Sequence, residues 1–395
     1  KVQKYLHRQG IDWLSPIARK VEREGTPNRR NVVLVFMESM SANLMGTFGS
    51  DKKLTPYLDS LYQQSLSFSH FYSSGIHTNH GIYSTLYSFP AIMKRNAMKG
   101  SVIPVYSGLP TVLQENGYCN LFFMTHESQY DNMNAFLRTN GFDEIYAQEN
   151  YPSEKVVNSF GVQDDFMYQY ALPILNERAG TGNPFFSVLL SISNHPPYVI
   201  PPYFHPHSDV LEEQIVEYAD WSIRQFMQAA EKQPWFDNTI FVFLGDHGKM
   251  VGTPECEMPQ SYNHIPLMIY GKDIKPGVYD GFGGQVDVSP TLLGLLNISY
   301  LQNNFGVNLL EEERPCMFFT ADNLIGARDS VNMFIYSPDS QQEFKYKLEE
   351  GKLHAATGTD EEAFRNLKDY CFSMLQSTES LVKEHKTLDK VSVKK

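Results

Sequence analysis

Four short apolar runs in this chain stop abruptly at groups that can bind a cation or carry a proton. "NVVLVFMES" ends in Glu38-Ser39, and "TIFVFLGDHG" ends in Asp246-His247-Gly248. "PFFSVLLSISNH" ends in Asn194-His195 ahead of Pro196-Pro197, and "NLFFMTHES" ends in His126-Glu127. Each ending alone has a bland reading. Glu38 could be a solvated strand end, and Asp-His-Gly is good turn chemistry. His195 before two prolines could merely shape a loop, and a lone histidine such as His126 is more often simply satisfied. Four such endings on four similar runs are hard to explain by structure alone. Two carboxylates and an imidazole form a hard-to-borderline divalent site, suited to Mn, Mg or Zn, with a position left for substrate or nucleophile.

Thr78, in "GIHTNHGIYSTL", fits that position. A threonine hydroxyl is a poor nucleophile at its ordinary pKa and needs a base or a metal to become an alkoxide. The competing reading makes Thr78 the N-cap of a helix over "NHGIYSTLYSF". That reading does not exclude function, because a helix N-terminus offers free amides and a positive dipole end to an anion.

The elements that must position these groups follow from hydrophobic pattern. The four runs, with "IPLMIYGK" from Ile265, are short, continuous and apolar, as in strands buried on both faces. Helical segments lie between them: "KLTPYLDSLYQQS" from Lys53, "PTVLQENGY" from Pro110 with Gly117 as its stop, and "EEQIVEYADWSIRQFMQAAEKQ" from Glu212. The last has an apolar face of Ile215, Val216, Ala219, Ile223 and Phe226. Alternating strands and helices predict an α/β fold with a mostly parallel central sheet flanked by helices, whose ligands bind beyond the carboxyl ends of the strands. After Tyr300 the pieces "CMFFTADN", "VNMFIYSP" and "QEFKYKLEEGKLHAA" predict a small antiparallel sheet, and "DEEAFRNLKDYCFSMLQ" a helix. No internal repeat is visible. The expected domains are a helical lead-in over 1–30, broken at Gly10 and Pro16; a catalytic domain over 31–300; and a C-terminal α+β subdomain and tail over 301–395.

The net charge of −12 argues against a nucleic-acid partner. Basic residues gather in the lead-in (Lys1, Lys4, Arg8, Arg19, Lys20, Arg23, Arg29, Arg30) and in the final "KVSVKK". Cys119, Cys256, Cys316 and Cys371 are far apart, without metal-ligand spacing, and read as free or buried thiols. No run approaches the ~20 apolar residues of a membrane span, and no signal peptide is visible. The chain begins at Lys1, which suggests a fragment whose upstream portion was removed.

"NVVLVFMESMSANLMGTFGS", "GIHTNHGIYSTL", "SNHPPYVIP", "LGDHGK" and "GQVDVSPTLLGLLNI" occur in the order seen in the alkaline phosphatase/sulfatase superfamily, and the chain most resembles its lipoteichoic acid synthase-like phosphoglycerol transferases. The resemblance spans roughly Asn31 to Ile298. It implies Glu38, Thr78, Asp246 and His247 as ligands of one divalent metal, Mn first with Mg or Zn as alternatives, and Thr78 as nucleophile. It implies His195 as the catalytic histidine at the substrate phosphate and His126 as a second substrate histidine. His80, His264, Asp131 and Asn132 are further candidates for contact with substrate. The family's catalytic domain lies outside the cytoplasmic membrane below transmembrane helices, which suits a lead-in joined to an upstream membrane region. There is one departure. Glycerol phosphate polymerases carry a Trp and an Arg shortly after the histidine matching His126, whereas "ESQYDNMNAF" has neither.

The function expected is metal-dependent transfer of a phosphoryl headgroup from a phospholipid donor to a glycan or lipid hydroxyl, through a phospho-threonine. Phosphoethanolamine transfer, or phosphodiester or phosphate hydrolysis, is the alternative within the superfamily. A true sulfatase needs Cys or Ser at the nucleophile with Pro and Arg following. Thr78-Asn79-His80-Gly81-Ile82 has none of these.

Overall fold

The computed structural model describes residues 1–357 and 361–390. Most of the basic tail, 391–395, and Asp360 at the head of the last expected helix lie outside the described residues.

Eight strands form the central sheet: β1 (Asn31–Met37), β2 (Leu66–Tyr72), β3 (Cys119–Met124), β4 (Glu144–Tyr146), β5 (Phe185–Leu190), β6 (Thr239–Gly245), β7 (Leu267–Tyr270) and β8 (Gly277–Gly284). Their order is β8-β2-β7-β6-β1-β5-β3-β4. Only β7 runs against its neighbours β6 and β2, so the sheet is mostly parallel, as expected. Every residue of β1, β5 and β6 is buried, which explains why these strands read as unbroken apolar runs. Two hydrophobic clusters cover the two faces. One includes Val32, Leu34 and Phe36 of β1, and the other Val33, Val35 and Met37.

The helix Leu211–Ala230 buries Ile215, Val216, Ala219, Ile223 and Phe226, the face read from its periodicity. The helix Leu109–Glu115 is followed by Gly117 at φ 85°. Beyond the central sheet, β9 (Met317–Thr320), β10 (Ile325–Arg328), β11 (Asn332–Ser337), β12 (Gln342–Glu349) and β13 (Lys352–Ala355) make an antiparallel meander. The helix Glu361–Lys383 packs on it.

The lead-in differs from the helical expectation. Only Val2–Leu6 is helical. Gly10 takes φ 82°, and Arg19–Val21 is a strand paired antiparallel with Tyr300–Gln302. Three of its cations are engaged by that neighbouring segment and the residues just after it. Arg8 donates to Gln302 Oε1 and the Gly306 carbonyl, Arg19 pairs with Glu312, and Arg23 pairs with Glu311. All four cysteines are free thiols.

Candidate functional site

The four strands that end in chemically active residues occupy adjacent places, β6-β1-β5-β3, in the middle of the sheet. Register does the rest. Met37 pairs with Gly245, so Glu38 and Asp246 leave the sheet side by side. Ser39 turns at φ 51°, a left-handed conformation rare outside glycine, and its N–H donates to Asp246 Oδ1 at 2.9 Å. The Ser39 hydroxyl donates to Glu38 Oε1 at 2.9 Å. His247 N–H closes on Asp246 Oδ1 at 2.7 Å.

Thr78 enters from the helix Thr78–Tyr87. Its hydroxyl lies 2.8 Å from Asp246 Oδ2 and 3.1 Å from Glu38 Oε2. The cap reading is corrected in one respect: His77 is the N-cap, and Thr78 is the first helical residue. Gly81 makes this approach possible. A Cβ there would stand 2.2 Å from the Asp246 carbonyl oxygen, so a larger residue would push the first turn away from the strand end.

Glu38, Asp246 and His247 offer ligand atoms that all lie within 4.8 Å of one another. The two carboxylates are 1% and 0% exposed. Among the described residues, no Lys or Arg is hydrogen-bonded or ion-paired to either. Burial first, then the charge of Asp246, holds the Glu38 carboxyl well above its ordinary pKa. A buried, mutually repelling carboxylate pair with a facing imidazole and hydroxyl fits a divalent cation. His247 Nδ1 lies 2.7 Å from the Gly248 carbonyl, which assigns the proton to Nδ1 and leaves the Nε2 lone pair toward Glu38 and Asp246, each 3.6 Å away.

Asn194, Lys249 and Gln285, whose side chains carry no local chemical signal in the sequence, complete the site. Asn194 donates to the carbonyls of Glu38 and Ser39 (3.2 and 3.3 Å) and accepts from Lys249 Nζ at 2.6 Å. Burial pushes the Lys249 amine down to about 8. Gln285 donates to the carbonyls of Gly245 and Asp246 and accepts from Ser74 N–H, tying the end of β6 to the loop before Thr78.

The other sequence candidates divide into two groups. His126 and His195 belong to one aromatic row. Ring centroids run His126 to Tyr130 at 4.7 Å, Tyr130 to Phe160 at 6.3 Å and Phe160 to His195 at 4.2 Å. His126 Nε2 is buried without a partner, its Nδ1 faces the Glu127 carbonyl, and burial lowers its pKa. His195 Nδ1 lies 2.6 Å from the Pro196 carbonyl, which leaves Nε2 available. Asp131 is 3.6 Å from Lys99 Nζ, and Asn132 donates to the Met98 carbonyl. His80 Nε2 meets the Arg95 carbonyl at 3.1 Å, and burial pushes its pKa down to about 4. His264 stacks on Tyr72, contacts the Ser69 carbonyl through Nε2, and is likewise pushed down to about 4 by burial. Asp131, Asn132, His80 and His264 thus have partners of their own, separate from the four clustered groups.

A parallel α/β sheet with this cluster at its carboxyl edge is the architecture of one class, and residues 30–298 match the model of the sulfatase family: the chain belongs to that family. More particularly, it is 25% identical over 324 residues to the lipoteichoic acid synthase-like protein YvgJ of Bacillus subtilis, covering 73% of this chain and 51% of that protein. The chain spans about half the length of the curated relatives it matches. A solved protein of the alkaline phosphatase superfamily from Vibrio parahaemolyticus superposes with a TM-score of 0.88 at 26% identity, covering 98% of this chain and 95% of that one. The lipoteichoic acid synthase LtaP from Listeria monocytogenes shares the fold, with a TM-score of 0.77 at 22% identity and 97% coverage of both chains.

Proposed function

We propose that this chain is a metal-dependent phosphoryl-headgroup transferase that takes a headgroup from a phospholipid through a phospho-threonine at Thr78 and passes it to a glycan or lipid hydroxyl. One observation carries the reading: the Thr78 hydroxyl sits between two buried carboxylates at the start of a ten-residue helix. Glu38, Asp246, His247 and Thr78 Oγ1 would hold the cation, Mn first with Mg or Zn as alternatives. Bound there, it would acidify the hydroxyl and polarise the phosphoryl oxygens.

The chain's own groups supply the remainder. The proton of Thr78 Oγ1 leaves along its hydrogen bond to Asp246 Oδ2. Oγ1 forms a bond to phosphorus as the bond to the diacylglycerol oxygen breaks, and that oxygen takes the Nε2 proton of a doubly protonated His195, which keeps its Nδ1–H on the Pro196 carbonyl. The unbonded N–H groups of the first helical turn and the Lys249 ammonium stabilise the phosphate charge. An acceptor hydroxyl then displaces Thr78 in the reverse sense. The supporting comparisons are those with the lipoteichoic acid synthase relatives. The working location is the outer side of a bacterial cytoplasmic membrane, with attachment through an upstream region. Among the described residues, no helix is long and apolar enough to cross a membrane.

Labelled phosphatidylglycerol and phosphatidylethanolamine, each with and without Mn, provide the test. Diacylglycerol should be released from phosphatidylglycerol only with the metal. Thr78→Ala should lower release by at least about 10³-fold, as expected when a nucleophile is lost. A Thr78→Ala protein that still turns over would overturn the assignment.

A further inference from the structure

The stretch from 94 to 105, "KRNAMKGSVIPV", takes no part in the chemistry above. It carries Lys94, Arg95 and Lys99 and no acid. No Asp or Glu stands anywhere between Asp59 and Glu115, in a chain with 45 acidic residues. The tip of the stretch is apolar and bare: Val102 is 80% exposed, Ile103 37% and Val105 44%. A single exposed apolar residue needs no explanation, but three within four positions on a cationic loop do.

The base of this loop is fastened to the rim of the site. Lys94 N–H donates to the Asp322 carbonyl at 3.1 Å, and the Asp322 carboxylate meets His77, the residue before Thr78. The Arg95 carbonyl contacts His80, in the first turn of the Thr78 helix. The Met98 carbonyl accepts from Asn132, and Lys99 pairs with Asp131, both just past the Tyr130 ring that packs on His126. Beyond the tip, the Val105 carbonyl accepts from Thr387 Oγ1, and the Ser107 hydroxyl donates to Asp389. These contacts bring the segment carrying Lys386 and Lys390 alongside. Lys386 is paired with Glu384. Lys94 and Arg95 have no ionic partner among the described residues.

We propose that residues 94–105 are a membrane-docking loop. Val102, Ile103 and Val105 enter the boundary between headgroups and acyl chains of an anionic phospholipid bilayer, and Lys94 and Arg95 meet the lipid phosphates. Apolar residues beside unpaired cations match that interface and its charge. The loop's purpose rests on the phospholipid-donor reading, since it would set the bilayer surface beside Thr78. Vesicle binding itself needs no turnover.

The test is sedimentation of the chain with vesicles of phosphatidylcholine alone and of equal parts phosphatidylcholine and phosphatidylglycerol. The parent should bind the anionic vesicles, and less so at high salt. Lys94→Gln and Arg95→Gln should each weaken binding about fivefold. Val102→Asp with Ile103→Asp should weaken it about tenfold or more. All of these variants should leave cleavage of a soluble aryl phosphodiester unchanged. A parent that ignores anionic vesicles, variants that bind like the parent, or a loop-dependent dimer in place of vesicle binding would each overturn the proposal. Loop-dependent binding without diacylglycerol release keeps the loop and removes the headgroup reading. Release with loop-independent binding does the reverse.

Discussion

Replacing Glu38 by glutamine tests the metal reading through stability alone, with effects of opposite sign in the presence and absence of a divalent cation. The ligand oxygens of Glu38 and Asp246 lie within 4.8 Å of each other. Two unit charges at that separation, at an effective dielectric of about 20, repel by about 3 kcal/mol. The unfolded chain escapes this cost. A carboxyl whose folded pKa is raised, as that of Glu38 is, reduces stability above its unfolded pKa and has no such effect below it. In chelator at pH 8, Glu38→Gln should therefore be the more stable protein. The gain is roughly 2 kcal/mol, after about 1 kcal/mol is lost from weakened hydrogen bonds to Thr78 and Ser39. For a chain of 395 residues this is a rise in Tm of about 2 °C. Mn at about a hundred times its Kd should stabilise the parent by about 2.7 kcal/mol, or about 3 °C, and the variant hardly at all, because a neutral amide is a weak ligand. Calorimetry in chelator and in Mn should show the two proteins exchange order. A variant that melts below the parent in chelator, yet shifts equally with Mn, would refute the reasoning.

Arg314 is 3% exposed at its side chain, pairs with the fully buried Asp287 at 2.6 Å, and bonds the Phe305 carbonyl and Tyr370. Arg314→Met should strand that carboxylate and cost about 3–5 kcal/mol in denaturant unfolding, while the double variant with Asp287→Asn should cost less than the sum of the two. Asp220 accepts from the N–H groups of Tyr57 and Leu58 at the start of the helix Pro56–Gln64, and burial pushes its carboxyl up to about 7. Its folded pKa is raised, so its contribution to stability falls as pH climbs from about 4 to about 7. Between those limits, the parent should lose up to about 4 kcal/mol relative to Asp220→Asn in urea titrations across that range. A constant difference between the two proteins across that range would remove the burial argument.

The candidate site was legible because Glu38, Asp246 and His247 follow directly on buried strands. An apolar run interrupted by Glu38 or Asp246 is a local signal, and parallel pairing turns four local signals into one edge. The elements missed lack such a signal. In β2, "LSFSHFY" mixes serines and a histidine with its aromatics. In β8, "GVYDGFGG" is half exposed and rich in glycine. The helix Asp164–Ala179 carries Pro173 in its interior, which reads as a break. In the lead-in, Ile11, Leu14 and Ile17 keep helical spacing, but Gly10 and Pro16 turn the chain. Pairing with Tyr300–Gln302 then decides the outcome at Arg19–Val21.

What composition and spacing could not convey is which polar groups complete one another. Asn194 matters because it joins the backbone of Glu38 and Ser39 to Lys249, residues separated by most of the chain. Gln285 matters because it ties Ser74 to the carbonyls of Gly245 and Asp246. Tyr130 and Phe160 connect His126 to His195 only once β3 and β5 lie side by side. The candidate ligands Glu38, Asp246 and His247 are set by strand ends and are local. Their orientation is set by these long-range hydrogen bonds and ring contacts. Substitutions at Asn194 or Gln285 should therefore loosen the alignment of Thr78 with Glu38 and Asp246 without removing a single candidate ligand atom.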